Sequence, residues 1–296
     1  MEKTLAAPSS ALAVAIMLAA GAVIAATSLL AKALGGAGDV AAALSPFQVS
    51  AGRFVFALSG LLAFLALFPT RRPSLAGANW RRHAMRSLCG WSGVTCMFAA
   101  VARMPVAEAT AISFLSPLVA MGLSVLMLGE RLTARKLFAA GLAVLGALLI
   151  LRPGSEAFQP AGAFALAAAA FMGLETIFIK RLSDSEPALR VLVINNAIGA
   201  CVSILVAAFV WSAPTTSQWA LLVALGLVMV AGQALFIQAM KRGEASFVMP
   251  AFYSVLMFAS IYDFAIYGVS PSGLAVAGSL LIVSGALVLA LGGGRR

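Results

Sequence analysis

The chain has 296 residues, of which 62% are hydrophobic and only 10% charged, with a formal net charge of +10. A soluble domain carries about 25% charged residues, so a sizeable soluble domain is excluded, and recurring apolar runs of about 20 residues, enough to cross roughly 30 Å of hydrocarbon as helices, mark a polytopic membrane protein. The runs do not alternate apolar and polar residues, which excludes a β-barrel, and the positive charge fits cytoplasmic loops rather than nucleic-acid binding.

The first run, 11–34, follows Lys3 and ends on Ala31-Lys32-Ala33, which imitates a signal peptide with its cleavage site. It is too long for a signal core and its pattern returns later in the chain, so it is expected to be a spanning helix. Nine further helices are predicted at 46–68, 84–103, 106–128, 134–151, 160–180, 187–211, 217–240, 245–267 and 272–291. Pro46 and Pro187 stand in first turns, where a missing N–H costs little. Thr133 and Ser270 are expected N-caps. Trp80, Trp211 and Trp219 are expected in the interfacial belts. Cys89, Cys96 and Cys201 lie in apolar runs without metal-ligand spacing and are expected to be small core residues.

Orientation follows from the basic residues. With the N-terminus cytoplasmic, sixteen Lys and Arg fall inside, from Lys3 through Arg71, Arg86 and Lys241 to Arg296, and only Lys32, Arg103 and Arg152 outside. Both termini are therefore expected in the cytoplasm. His83, among Arg81, Arg82 and Arg86, is expected in a solvated cytoplasmic loop.

The chain also repeats itself. "MPVAEATAISFLSPL" from Met104 returns as "MKRGEASFVMPAFYSVL" from Met240, which sets Glu244 136 residues after Glu108. Gly90 and Gly226 keep the same offset, Lys32 aligns with Lys180, and Gly141 with Gly278. The fold class predicted is an all-α polytopic membrane protein of ten transmembrane helices, in two five-helix repeats at 1–155 and 156–296. An odd number of helices per repeat inverts the second copy, as in many secondary transporters whose substrate sits near the midplane between the repeats. Glu108 and Glu244 then lie on opposite membrane faces. Each is expected to complement a helix N-terminus and to fix a tight hairpin, with a gating role left open.

These residues carry a resemblance. Lys32 ends helix 1, Arg53 comes early in helix 2, the apolar helix 4 contains Pro117, and "LGERLTARKLFAAGLAVLGALLI" runs from Leu128. Together they resemble the drug/metabolite transporter superfamily in its EamA-type branch of ten-helix carriers, over nearly the whole chain. By general similarity the chain looks most like the bacterial exporters of aromatic amino acids and paraquat. The resemblance implies exchange of small organic molecules across an inner membrane, commonly export. The second half departs from the pattern, with Tyr253 or Ser254 where a proline would match Pro117, and Tyr267 where Glu130 would repeat.

Polar groups within spans face protein or a water-filled cavity. The expected cavity residues are Trp91, Thr95, Glu175, Gln233, Met249 and Tyr253. Trp91 fits stacking on a ring or a cation, or plain packing. Glu175 fits a substrate ammonium or a coupling proton, or a salt bridge to Lys180 or Arg181. Gln233 is the deepest amide, and Asn195 and Asn196 lie on the preceding helix. Met249, Phe252/Tyr253 and Met257 form a helical stripe suited to packing or to an adaptable cavity. Arg53, Glu108, Glu244 and Asp263 are expected in gate or structural roles, Arg53 with the option of attracting a substrate carboxylate. Gly141, Gly146, Gly278 and Gly285 allow close backbone approach in helices 5 and 10, as scaffold or dimer surface.

No nucleotide-cradling glycine loop and no cluster of acids and histidines is present, which argues against an ATP-driven pump or a membrane enzyme such as a lipid-linked transferase. The expectation is a non-enzymatic carrier without metal or cofactor, in the bacterial inner membrane, as a monomer or weak homodimer. It would export aromatic or other neutral amino acids, or alternatively organic cations and drugs.

Overall fold

The computed structural model describes residues 10–34, 44–101, 103, 106–152, 162–268 and 270–291. Among these the regular structure is entirely helical. The helices are α1 (Ser10–Leu34), α2 (Pro46–Leu67), α3 (Trp80–Val101), α4 (Val106–Ser113), α5 (Ser116–Leu128), α6 (Ala134–Leu151), α7 (Gly162–Ser185), α8 (Ala188–Ala207), α9 (Thr216–Arg242), α10 (Ala245–Phe252), α11 (Ser254–Tyr267) and α12 (Gly273–Leu291). Eight helical stretches are long and apolar enough to cross a membrane. Counting α4–α5 and α10–α11 as one broken span each, and adding α3 with its charged first turns, gives the ten predicted spans.

Helix starts follow local chemistry. The Ser45 hydroxyl accepts from Gln48 N at 3.2 Å ahead of Pro46, and the Thr133 hydroxyl accepts from Lys136 N. Thr215 and Gln218 form a reciprocal capping box at the start of α9. Pro187 stands one position before its helix rather than within it. Ser272, not Ser270, caps α12, its hydroxyl accepting from Ala275 N at 3.2 Å. The Asn79 side chain accepts from Arg82 N at 3.1 Å, so α3 begins four residues before the predicted position 84 and takes Arg81, Arg82 and His83 into the helix.

Two spans break close to a proline. Pro117 opens α5 just after the break at Phe114 and Leu115; Pro250 lies inside α10, three residues before the break at Tyr253. The two breaks meet: the Tyr253 hydroxyl donates to Phe114 O at 2.8 Å, and the rings lie 6.3 Å apart. Tyr253 is 2% exposed and packs with Ala143, Ala147 and Ile282.

Packing pairs the two halves. α1 lies along α9 and α3 along α7; α6 packs against α12, and α2 against α8. Small residues allow the closest crossing: a Cβ added to Gly278 would stand 2.5 Å from Gly146 O, and one on Gly285 2.8 Å from Ala139 O. Gly141 has nothing within 4 Å of an added Cβ, so it is not one of the close-approach glycines expected from sequence. Cys89 is buried but Cys201 is exposed, against the expectation of three core cysteines. One pairing is unequal. α2 packs closely along α9, with Gly226 against the backbone at Phe56 and Ala57, whereas the matching pair α3 and α8 meets sparsely.

Candidate functional site

Where α3 and α8 separate, a cavity of about 660 Å3 opens. Phe47, Arg53 and Phe54 of α2 line it, with Arg86, Gly90, Trp91, Val94 and Thr95 of α3. Met172, Glu175 and Thr176 come from α7, Asn195, Ile198 and Ser203 from α8, Gln233 and Phe236 from α9, and Met249 and Phe252 from α10. The exposed wall is mainly apolar, from aliphatic, aromatic and methionine side chains, with polar groups set among them, as in sites for small organic ligands.

The charge in this cavity is concentrated in three residues. Glu175 Oε1 lies 3.8 Å from Arg86 Nε; the Arg86 side chain is 2% exposed and that of Glu175 26%. The Arg53 guanidinium lies over the Phe54 ring, 4.4 Å from its centroid, and also attracts the Glu175 carboxylate. Neither Nε of Arg53 nor that of Arg86 has a hydrogen-bond partner. An Arg86 NH donates to Val191 O at 3.4 Å. Two guanidiniums against one carboxylate leave one net positive charge inside an apolar wall.

The predicted cavity residues separate into two groups. Trp91, Thr95, Glu175, Gln233 and Met249 line the cavity; Tyr253 does not, because its position at the helix break turns it toward α6 and α12. The Thr95 hydroxyl donates to Trp91 O at 2.9 Å, within its own helix. Gln233 Oε1 accepts from Asn196 Nδ2 at 3.1 Å, which anchors the amide. Glu175 pairs with Arg86 rather than Lys180 or Arg181, which bond instead to Met240 O and Met127 O. By its charge alone Arg86 reads as a cytoplasmic loop residue. Its spacing of four from Gly90 is the signal that places it on the cavity face of α3.

Of the residues expected in gate or structural roles, Arg53 lines the cavity from within α2, and the others lie toward helix ends. Lys32 Nζ and Asp263 Oδ1 pair at 2.8 Å, and Lys32 also stands 4.5 Å from the Tyr267 ring centroid. Glu244 occupies the N-cap position of α10 without capping it; its carboxylate pairs with Lys136. Glu130 caps α10 instead, accepting from Ala245 N and Ser246 N at 2.8 Å each. Its loop brings a carboxylate in line with the free N–H groups, while the Glu244 side chain is drawn aside by the buried Lys136 ammonium. Lys136 Nζ further donates to Arg131 O at 2.8 Å and Ser246 Oγ at 2.9 Å. Glu108 falls on α4, and its side chain lies outside the described residues.

His83 is not solvated. It is 0% exposed, with Nε2 3.0 Å from Glu186 Oε2. Glu186 also accepts from Asn79 N at 2.8 Å and lies 3.7 Å from Arg190 NH1. Burial pushes the Glu186 carboxyl upward, but the Asn79 N–H, His83 and Arg190 together hold it below the usual carboxylate range. This cluster ties the start of α3 to the α7–α8 junction. Among the described residues no group of His, Cys, Asp and Glu is arranged to hold a metal ion.

Comparison with known proteins decides the family. The family model described as the EamA-like transporter family matches residues 11–152 and again 160–291. The chain belongs to that family. It is a multi-pass membrane transporter of small metabolites, of the drug/metabolite type. The pseudopaline exporter of Pseudomonas aeruginosa (strain UCBPP-PA14) is 28% identical over 69% of this chain and 73% of its own length. The S-adenosylmethionine uptake transporter of Rickettsia bellii is 27% identical, over 83% of this chain and 84% of its own. The riboflavin transporter of Vibrio cholerae is 25% identical, over 78% of each chain. A crystal structure at 24% identity superposes with a TM-score of 0.78, covering 96% of this chain and 99% of that one, which shows the shared fold. These relatives bear three different substrate names and both directions of transport, so membership in this EamA-like family leaves substrate and direction to the cavity itself.

Proposed function

We propose that this EamA-like transporter carries small amphipathic metabolites bearing a carboxylate, aromatic or other neutral amino acids foremost, and exports them across the bacterial inner membrane. The observation that carries this reading is the pair of guanidiniums, Arg53 and Arg86, set against the single carboxylate of Glu175 in a cavity with no other charged lining residue among those described. An uncompensated guanidinium favours a substrate carboxylate, to which it donates in a bidentate fork. Trp91, Phe54 and Phe252 offer ring faces for an aromatic body, and Met172 and Met249 adapt to its outline. The same charge disfavours organic cations.

The carrier works by alternating access between two inverted repeats, 1–155 and 156–296, with both termini cytoplasmic. Support comes from the two family matches, the sixteen-to-three bias of basic residues and the unequal packing of equivalent helices. In this state α2 is closed on α9 while α3 stands apart from α8; the opposite-facing state exchanges the two arrangements. The end tied by His83 and Glu186 is then cytoplasmic, and the cavity opens outward. Exposed apolar side chains such as Leu126, Leu145, Phe209 and Leu280 face lipid, and the working unit is a monomer or weak homodimer.

Counterflow in proteoliposomes tests the reading. Labelled phenylalanine is expected to exchange and tetraphenylphosphonium is not. Arg86→Met is expected to slow phenylalanine exchange by at least about tenfold, since a charge-assisted hydrogen bond contributes about 1.5–3 kcal/mol. Exchange of the cation without the amino acid would overturn it.

A further inference from the structure

Glu175 stands where a substrate carboxylate has to bind. Its carboxyl lies against Gly90, where an added Cβ would be 3.0 Å from Cδ and both oxygens, and 3.8 Å from the buried Arg86 Nε. The charged and titratable groups facing it are Arg86 and Cys89 on α3 and Arg53 on α2. Among the described residues, the other helices bring uncharged side chains to this part of the cavity: Asn195 from α8, Gln233 from α9, Met249 from α10 and Ser116 from α5. Lys180, one turn along α7, is engaged by Asp184 Oδ1 and Met240 O, both at 2.8 Å.

We propose that Glu175 is a built-in competitor of the substrate: it holds the two arginines in the empty carrier and releases them, taking up one proton, when a substrate carboxylate binds. This rests on the reading that the substrate bears a carboxylate. Both carboxylates need the same partly buried guanidiniums, and crowding two negative charges into one site makes the neutral form of one of them the lower-energy state. The proton comes from the water of the open cavity and is returned when the substrate leaves. The charge balance is closed. The empty site holds two cations and one carboxylate, a net +1; the loaded site holds two cations, a neutral Glu175 and one substrate carboxylate, again +1. A monocarboxylate therefore crosses with one proton and no net charge, and a zwitterionic amino acid crosses with one net positive charge.

The repeat gives the same contact a conformational meaning. Gly226, the counterpart of Gly90, packs on the α2 backbone at Phe56 and Ala57 in the closed α2–α9 pair. At Gly90 the equivalent notch is filled by the Glu175 carboxyl. Displacing Glu175 clears the notch, so occupancy by substrate permits α3 to close on α8.

The test is calorimetric titration of the purified full chain with 3-phenylpropionate, which has no amine to titrate, in buffers of different ionisation heat between about pH 6 and about pH 8.5. Wild-type protein is expected to take up about one proton per ligand, with Kd weakening by up to about tenfold per pH unit. Glu175→Gln is expected to bind at least about tenfold tighter near pH 8, with no proton uptake and no pH dependence. A purely architectural Glu175, holding the arginines in place, predicts weaker binding in that variant. Binding by the wild type with no proton uptake overturns this inference and leaves the carboxylate-carrier reading standing, a result that needs no variant to fold. Weaker or still pH-dependent binding by a folded Glu175→Gln overturns it equally. Failure of the wild type to bind either 3-phenylpropionate or phenylalanine overturns both.

Discussion

Glu186 shows how far one residue's role depends on what folds around it. In sequence it is an acid in a turn between two apolar runs; in the structure it receives the Asn79 N–H and His83 and faces Arg190. Because these partners hold its carboxyl below the ordinary range, its stabilisation is complete above the unfolded value near pH 4.3 and is lost as pH falls through the lower folded value. Glu186→Gln keeps the size but weakens the bonds, and is expected to cost about 1–3 kcal/mol at neutral pH. Thermal unfolding in detergent at pH 7 and at about pH 3 reads both effects. The gap between wild type and variant should narrow in acid, and a constant gap would contradict the assignment. His83 and Arg86 mislead a reader of the sequence for a shared reason. Positive charge at the start of a predicted span reads as loop; the Asn79 cap extends α3 backward to take in His83, and packing of α3 against α7 and α8 buries Arg86, which already lies within the predicted helix.

Among the elements, the crossing of α6 and α12 carries the sharpest requirement. Their backbones approach at Gly146 and Gly278, where an added methyl meets a carbonyl oxygen rather than a side chain that can move. Gly278→Ala is expected to destabilise by about 1–3 kcal/mol, the usual range for overpacking, and to lower folded yield. Gly141→Ala, on the same helix as Gly146 but in open space, is expected to be neutral or to stabilise by up to about 1 kcal/mol. Gel-filtration yield and melting temperature of the two variants check the contrast, and equal effects would refute it. The broken spans depend on packing in a similar way. Pro117 stands at the first break and Pro250 three residues ahead of the second, away from the position that matches Pro117 in the repeat, and the mutual bond from Tyr253 to Phe114 O requires two half-helices to meet in space. That bond draws Tyr253 out of the stripe it shares with Met249 and Phe252 and away from the cavity.

For the whole molecule, the topology makes a direct prediction. The proposed orientation, with both termini cytoplasmic, puts a cysteine placed at Ser74, between α2 and α3, in the cytoplasm and one at Ala213, between α8 and α9, outside. Both positions are exposed in the structure. In a background without Cys89, Cys96 and Cys201, an impermeant thiol reagent added to intact cells should label Ala213→Cys and spare Ser74→Cys. The reverse pattern would invert the orientation and make the described state inward-open. The ten spans were legible in the sequence because hydrocarbon thickness and backbone hydrogen bonding leave a chain this apolar few alternatives. The cavity was legible in part: Trp91, Glu175, Gln233 and Met249 stand out as polar, aromatic or flexible residues within spans, whereas Arg86 hides among loop charges.

Composition and periodicity were enough for the membrane class and for the order and near-boundaries of the helices, and resemblance of short motifs pointed to the family, because each of these is written in local stretches of chain. Which residues share a site was settled only by packing across the chain. The pairing of Glu175 with Arg86, the capping of α10 by Glu130 in place of Glu244, and the asymmetry that closes α2 on α9 while leaving α3 apart from α8 all join residues distant in sequence. Local pattern records what each helix presents, but the partner it meets is set by how the two halves pack.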